Sequence, residues 1–348
     1  MALDSSSLGL PVELSQISST LHALWDAPEQ RTRACLLNLV VFTQGTQQLA
    51  SNTALISKFV RNHACRAILV GNASFEKTPK ASAWVQAHCH MTKAGAQEIC
   101  SEQITLLAEG LSQTSVANMI MANVDYDLPL NLWWQGELPD NTDSPLWQRV
   151  DRLIIDSLDW QNPSEDLRRL SDIRANFGTH LALADLNWTR TLGLRQAIAL
   201  SFEAPSLQQE LSGLSQLQIQ HAPNARLTAM LLISWFAAQL SWEFAGKEGD
   251  VVHFNSSTAG KVHCSLKETP GEAISAISLK AAHAQLSLRR EPGSSLLNVT
   301  TETSSITSNA HFPAGNNDLI NLLSEEMTPG TRHKIYLKTL SALQPLLS

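Results

Sequence analysis

Hydrophobic positions fall first into short, nearly unbroken runs and only later into a clear period of two. Residues 34–42 read ACLLNLVVF, residues 65–70 read CRAILV, and Leu153-Ile154-Ile155 is a compact apolar stretch bounded by polar residues. Runs this apolar predict strands covered on both faces. Leu128, Leu130 and Leu132 recur at period two before the adjacent Trp133 and Trp134, with a turn at Gly136 and Pro139. Helical spacing of apolar residues marks 12–25, 46–60, 112–123 and 162–177, and 144–149 is a shorter helical candidate. Residues 29–32 read as a polar connection. Residues 85–91 and 98–105 alternate more plainly and predict a partly exposed antiparallel pair. Strands alternating with helices indicate a three-layer α/β domain, and that pair makes its sheet mixed.

Gly178 suits the end of the helix at 162–177, and the domain junction is placed beside it. Residues 1–175 then form the N-terminal α/β domain and residues 176–348 a C-terminal α+β domain. The second half opens with a helix over 185–202, for which Asp185 or Asn187 supplies the N-cap. Residues 217–221 alternate like an edge strand, and 226–242 is an apolar helix buried on most sides. From Val251 onward, short strands at 251–254, 261–266, 274–279, 284–288 and 296–299 are separated by Gly, Pro and Asn turns. That pattern predicts an antiparallel β-meander with one wet face. Helices at 316–326 and 331–346 close the chain, the second with a stripe of Leu337, Leu340, Leu343 and Leu347.

Composition narrows the class. A chain of 348 residues has room for two domains, and 43% hydrophobic with 16% charged residues describes a globular protein. A formal net charge of −7 without a long basic run disfavours nucleic acid or an anionic membrane as partner. The first residues show no basic segment followed by an apolar core, so no secretory signal is expected. The longest apolar stretch, 227–240, is shorter than the roughly 20 residues of a spanning helix. A cytoplasmic protein is expected. The five cysteines contain no CxxC pair and are expected to be reduced and mostly buried.

Candidate chemistry is sparse. No two glycines are separated by a single residue, so GxGxxG is absent, and neither GxxxxGK[ST] nor GxSxG occurs. No cofactor is expected. His88-Cys89-His90, with His63 and Cys65 upstream, is the most metal-like group. On a strand, however, His88 and His90 share one face and Cys89 takes the other, so no metal is expected. Cys89 and Cys100 could pair if their strands are neighbours, but they read as ordinary core thiols. Asp151, Asp156 and Asp159 lie near a strand end, where both helix caps and ligand-binding groups occur. Of the paired tryptophans, one ring should face the core, and its neighbour a second layer, a pocket or a partner. Arg190 and Arg195 sit on one helix, available to solvent or to an acidic partner surface.

Three segments together carry a resemblance: Leu128-Pro-Leu-Asn-Leu-Trp-Trp-Gln-Gly-Glu-Leu-Pro139, Asp151-Arg-Leu-Ile-Ile-Asp-Ser157, and Asp185-Leu-Asn-Trp-Thr-Arg190 with Arg195-Gln-Ala-Ile-Ala199. With Cys65-Arg-Ala-Ile-Leu69, their order and spacing over about residues 30–240 resemble the OpcA family of glucose-6-phosphate dehydrogenase assembly proteins. Family members tend to carry Arg where this chain has Gln135, and Thr-Pro-Trp-Arg where it reads Leu192-Gly-Leu-Arg195. The resemblance implies a non-catalytic partner that promotes assembly or activity of the dehydrogenase, an allosteric activator serving the oxidative pentose phosphate pathway. Trp133, Trp134, Gln135, Trp188, Arg190 and Arg195 are the partner-interface candidates it supplies, with no catalytic, cofactor or metal residue. The competing reading is a small-molecule enzyme or sugar-phosphate-binding protein that uses Asp151, Asp156 and Asp185.

Overall fold

The apolar runs of the first half become the middle of a nine-stranded mixed sheet. The structure is a computed structural model that describes residues 5–25, 31–91, 98–327 and 334–348. Two expectations touch residues outside that range: the start of the connection near Glu29 and the first residues of the helix at 331–346; the link between the antiparallel segments 85–91 and 98–105 also lies outside it. The strands of this sheet are β1 (Leu10–Val12), β2 (Arg31–Arg33), β3 (Asn38–Gln44), β4 (Arg66–Ala73), β5 (Lys80–Met91), β6 (Glu98–Glu109), β7 (Leu130–Gln135), β8 (Arg152–Ile155) and β9 (Ala182–Asp185). Their order is β1-β5-β6-β4-β3-β7-β8-β9, with β2 also paired to β6.

β3 pairs in parallel with both β4 and β7, β4 with β6, and β7 with β8. Counted outward from β3, the chain runs through β4 and β6 on one side and through β7, β8 and β9 on the other. This is the doubly wound order of dinucleotide-binding folds, and its direction reverses between β3 and β7. The intervening helices include Leu49–Phe59, Gln113–Met121, Pro145–Arg149 and Pro163–Phe177. Gly178, at φ +58, follows the last of them as expected.

Two expectations for the β5–β6 pair need correction. The first concerns exposure, because β6 is buried over most of its length. Its polar positions look like a wet face in sequence but are hydrogen-bonded indoors. Gln103 meets His88 at 2.9 Å, Thr53 at 3.2 Å and Thr105 at 3.1 Å, while Glu102 pairs with Arg66 at 2.9 Å. The second concerns the thiols. Cys89 and Cys100 face each other in register and form a disulfide, with Cα atoms 4.0 Å apart. The expectation of reduced thiols fails for this pair, because antiparallel pairing brings opposed residues within bridging reach. Cys65 and Cys264 are buried thiols, and burial holds both well above the usual thiol range.

The second sheet has eight strands: β10 (Gln216–His221), β11 (Glu243–Glu248), β12 (Val251–Ser256), β13 (Gly260–Glu268), β14 (Ile274–Lys280), β15 (Ala284–Arg289), β16 (Leu296–Thr303) and β17 (Thr307–Pro313). Their order is β11-β12-β13-β10-β14-β15-β16-β17. The expected strands are present, but β10 stands between β13 and β14, so the antiparallel meander is split into β11-β12-β13 and β14-β15-β16-β17 and the sheet is mixed. β10 is central, not the expected edge strand. It pairs parallel to β13 and antiparallel to β14, and its alternation reflects one buried and one open face. The expected helix at 185–202 divides into Leu186–Arg190 and Leu192–Ser201, separated at Thr191. The expected N-terminal helix is shorter than 12–25, because β1 precedes it and the α-helix itself is Ile17–Trp25.

Two compact units result. One comprises residues 1–155 and 169–184, the other residues 156–168 and 185–348. The chain changes unit three times, where the sequence suggested one junction near 175. The physical reason is β9, a strand beyond that point which still extends the first sheet. Among the described residues, no helix is long and apolar enough to cross a membrane.

Candidate functional site

In the first unit, the strands that diverge at the switch point leave a crevice beyond their carboxyl ends, where open α/β sheets bind ligands. β3 ends at Gln44, and Gly45 turns the chain with φ +94, its N–H donating to the Asn72 carbonyl at the end of β4 at 2.8 Å. β7 ends at Gln135, followed by Gly136 at φ +110. A Cβ at Gly136 would lie 2.9 Å from Gln44 Oε1, so glycine makes room for that side chain. Gln44 Nε2 then reaches the Glu137 carbonyl at 3.0 Å.

The resulting cavity measures about 740 Å³, with Phe42, Ile120, Trp134 and Trp147 among its apolar lining. Phe42 and Trp134 stack with centroids 3.9 Å apart, and Trp147 lies 5.6 Å from Trp134. Trp134 Nε1 donates to the Glu137 carbonyl at 2.9 Å. At the mouth, Arg169 donates to Glu137 and, at 3.0 Å, to Asp140. Those hydrogen bonds hold its guanidinium above the usual range. Asn72 Oδ1 is buried with no hydrogen-bond partner. Where a dinucleotide fold would carry GxGxxG, this chain reads Gln44-Gly45-Thr46-Gln47-Gln48-Leu49.

The sequence-derived candidates divide between two places. Trp133 and Trp134 are 3% and 8% exposed, because both faces of their sheet are covered. Trp134 lines the crevice. Gln135 exchanges hydrogen bonds with Asn52 at 2.9 and 3.2 Å. Trp188, Arg190 and Arg195 belong to a polar cluster in the second unit. Trp188 is 2% exposed, and the Arg195 guanidinium lies 3.5 Å over its ring, a cation–π arrangement. Burial lowers the pKa of Arg195 to about 9, partly opposed by Glu326. Arg190 grips Asp156 with two bonds of 2.6 Å.

Asp185 is the centre of that cluster and is fully buried. It accepts from Ser157 N at 2.9 Å, Ser157 Oγ at 2.7 Å, Asn187 N at 3.0 Å and Tyr336 Oη at 3.0 Å. Burial, and then the charge of Asp156, raise its pKa to about 6 against those hydrogen bonds. Asn187 extends the network by donating to Ser157 Oγ at 3.0 Å and accepting from Thr228 Oγ1 at 2.7 Å. The expected N-cap is therefore present, but it is also a buried hub.

The aspartates of the competing reading all have structural work. Asp151 accepts from Leu130 N at 2.7 Å and pairs with Arg149, Asp156 caps a short turn and holds Arg190, and Asp185 caps the helix Leu186–Arg190. Engaged in this way, they give a small-molecule enzyme no support. The metal-like residues are similarly occupied. His88 is hydrogen-bonded to Gln103, and burial lowers its pKa. Cys89, Glu98 and Cys100 bring ligand-type atoms within 4.8 Å of one another, but two of those atoms are the disulfide sulfurs. Asn72, Trp147 and Arg169 were missed because no local motif marks them.

Residues 57–172 match the family model described as the glucose-6-phosphate dehydrogenase subunit N-terminal domain, and residues 181–340 match that of the C-terminal domain. A Nostoc punctiforme protein provisionally named OxPP cycle protein OpcA is 28% identical over 200 residues, which cover 54% of this chain and 42% of that protein. Its Synechocystis counterpart is 27% identical over 165 residues, covering 46% and 34%. The aligned part thus spans less than half of either relative. Among solved structures, the 3-ketoreductase KijD10 from Actinomadura kijaniata gives a TM-score of 0.49 at 11% identity, covering 88% of this chain and 95% of that one. The UDP-N-acetylglucosamine 3-dehydrogenase GnnA from Acidithiobacillus ferrooxidans gives 0.44 at 9% identity, covering 90% and 100%. Matched by both family models in order along most of its length, the chain belongs to the OpcA family of glucose-6-phosphate dehydrogenase assembly proteins.

Proposed function

We propose that this protein is a non-catalytic cytoplasmic partner of glucose-6-phosphate dehydrogenase that promotes its assembly or activity. The observation that carries this reading is the paired match of residues 57–172 and 181–340 to the two domains described as subunit domains of that enzyme. The residues at the switch point are consistent with it. A pyrophosphate needs close backbone approach at the first turn of the fold, which glycines permit. Here only Gly45 stands in that turn, and Gln44 beside it is bonded across to Glu137.

A partner shifts an equilibrium only by binding one state more tightly than another. The protein is therefore expected to bind the assembled dehydrogenase more tightly than its dissociated form. Trp133, Trp134 and Gln135 in the first unit, and Trp188, Arg190 and Arg195 in the second, enter this proposal as the framework beneath each unit's own surface, since their rings and guanidinium groups are largely turned inward. Mixing the two purified proteins tests the proposal. Co-elution with a change in dehydrogenase oligomer population or kinetics is expected; no co-elution and unaltered kinetics would refute it.

A further inference from the structure

The two faces of the second sheet are covered unequally. Helices Leu192–Ser201 and Arg226–Leu240 pack on one of them. The other, followed through the strand registers, is an open polar surface. One row of its positions crosses six strands, from Ser265 through Gln218, Ser278, Ser287 and Thr300 to Asn309. All six residues are uncharged. The side chains of Ser265, Gln218, Ser278 and Ser287 have no hydrogen-bond partner among the described residues.

Charge gathers around that row, and mostly with one sign. On the six inner strands, the charged open positions are Lys261, Lys267, Lys280 and Arg289 against Glu302 alone. Two further acids, Glu243 and Glu248, stand on the edge strand β11. The four cations are exposed, and none is paired with a carboxylate among the described residues. In a chain whose formal net charge is −7, this face is locally basic.

An uncharged hydrogen-bonding centre within a charged rim is the anatomy of a protein interface, whose core is depleted of charge. Eight strands about 4.8 Å apart, each offering about five residues at roughly 3.3 Å, give a surface on the order of 600 Å². That approaches the roughly 800 Å² each partner contributes to a standard interface. A second copy of the chain is a poor occupant, because a twofold contact would bring both sets of four cations into one interface. A nucleic acid is disfavoured as well, since no open position on the inner strands carries Phe, Tyr or Trp for bases to stack on. We propose that this face docks a flat protein surface with carboxylates around an uncharged centre, and that the surface belongs to the dehydrogenase, a step that rests on the functional reading above. Opposite charges across such a rim speed encounter and fix orientation.

Two double variants test the proposal with the full chain and its cognate dehydrogenase. Lys267→Glu/Lys280→Glu alters the face, and Lys334→Glu/Lys338→Glu makes the same charge change on the helix Lys334–Leu347; all four lysines are exposed. The face pair is expected to weaken binding at least about tenfold, mainly through the association rate, and to flatten its salt dependence. The control pair should change binding by less than about twofold. Should the face pair misfold by circular dichroism, Gln218→Glu in the uncharged centre gives an independent reading, with binding expected to weaken at least about threefold. Binding that every folded face variant retains unchanged, or that the control pair weakens equally, would overturn this face and leave the functional reading standing. No binding by the unaltered protein would overturn both. Self-association abolished by the same face substitutions, or tighter binding of a single-stranded oligonucleotide than of the dehydrogenase, would identify another occupant and overturn the proposal.

Discussion

The two units use the same residue types at strand ends and do opposite things with them. In the first, Arg169 meets Glu137 and Asp140 at the mouth of a crevice, and these two carboxylates are 63% and 66% exposed. In the second, Arg190 meets Asp156 with the two side chains only 14% and 10% exposed, beside a fully buried Asp185 that satisfies four donors. An aspartate near a strand end is thus not a functional signal by itself. The deciding feature is how its surroundings engage it: the carboxylates at the crevice mouth stay largely open to water, while the donors around Asp185 are closed onto their acceptor.

The sharpest way to break this contrast is Asp185→Ala. The substitution removes the acceptor from Ser157 N, Ser157 Oγ, Asn187 N and Tyr336 Oη. A loss of about 3–5 kcal/mol is expected, the range for opening a buried charged network. Urea unfolding measures it, and a loss of less than about 1 kcal/mol would mean that the cluster is not structural.

The charge on Asp185 offers a second test. Its pKa in the folded protein is about 6, above the ordinary aspartate value of 3.8 that stands for the unfolded chain. The folded state therefore holds this proton more tightly, and its stabilising contribution is complete below about pH 4 and lost as pH rises through about 6. The difference is about 3 kcal/mol by that linkage. Relative to Asp185→Asn, the unaltered protein should lose stability between pH 4 and pH 7; parallel pH profiles for the two would contradict the assignment.

The first unit has a covalent tie instead, at Cys89–Cys100, eleven residues apart. Cys89→Ser should lower stability by about 3 kcal/mol on the chain-entropy account of such a loop. The same loss should follow reduction of the unaltered protein, and an unchanged unfolding midpoint in both cases would argue against the bridge. The smallest effect is expected at the crevice mouth. Arg169→Met breaks ion pairs whose acidic partners are well exposed, so the cost should stay within about 1 kcal/mol. A thermal melt that drops far more than this would move Arg169 from the rim of the crevice into its structural support.

Sequence alone determined the elements whose environment is written in their own residues. The apolar runs that became β3, β4 and β8 could only be covered strands, and the one that became the helix Arg226–Leu240 could only be interior, because exposing them would leave large apolar surfaces in water. Asp185 announced its cap by standing immediately before a helical pattern. The segments around Trp133 and Trp188 were enough to mark the family. Tertiary structure decided what depends on partners far along the chain. Ser101, Gln103 and Thr105 look like a wet face until Thr53 and His88 arrive as buried hydrogen-bond partners. β10 looks like an edge until β13 and β14 pair with it. Asn72 and Trp134 share a crevice only because parallel pairing aligns the ends of strands that are distant in sequence, and Arg169 joins them from the helix Pro163–Phe177. Local patterning records how much water a residue avoids, whereas the partner it meets is set by long-range register.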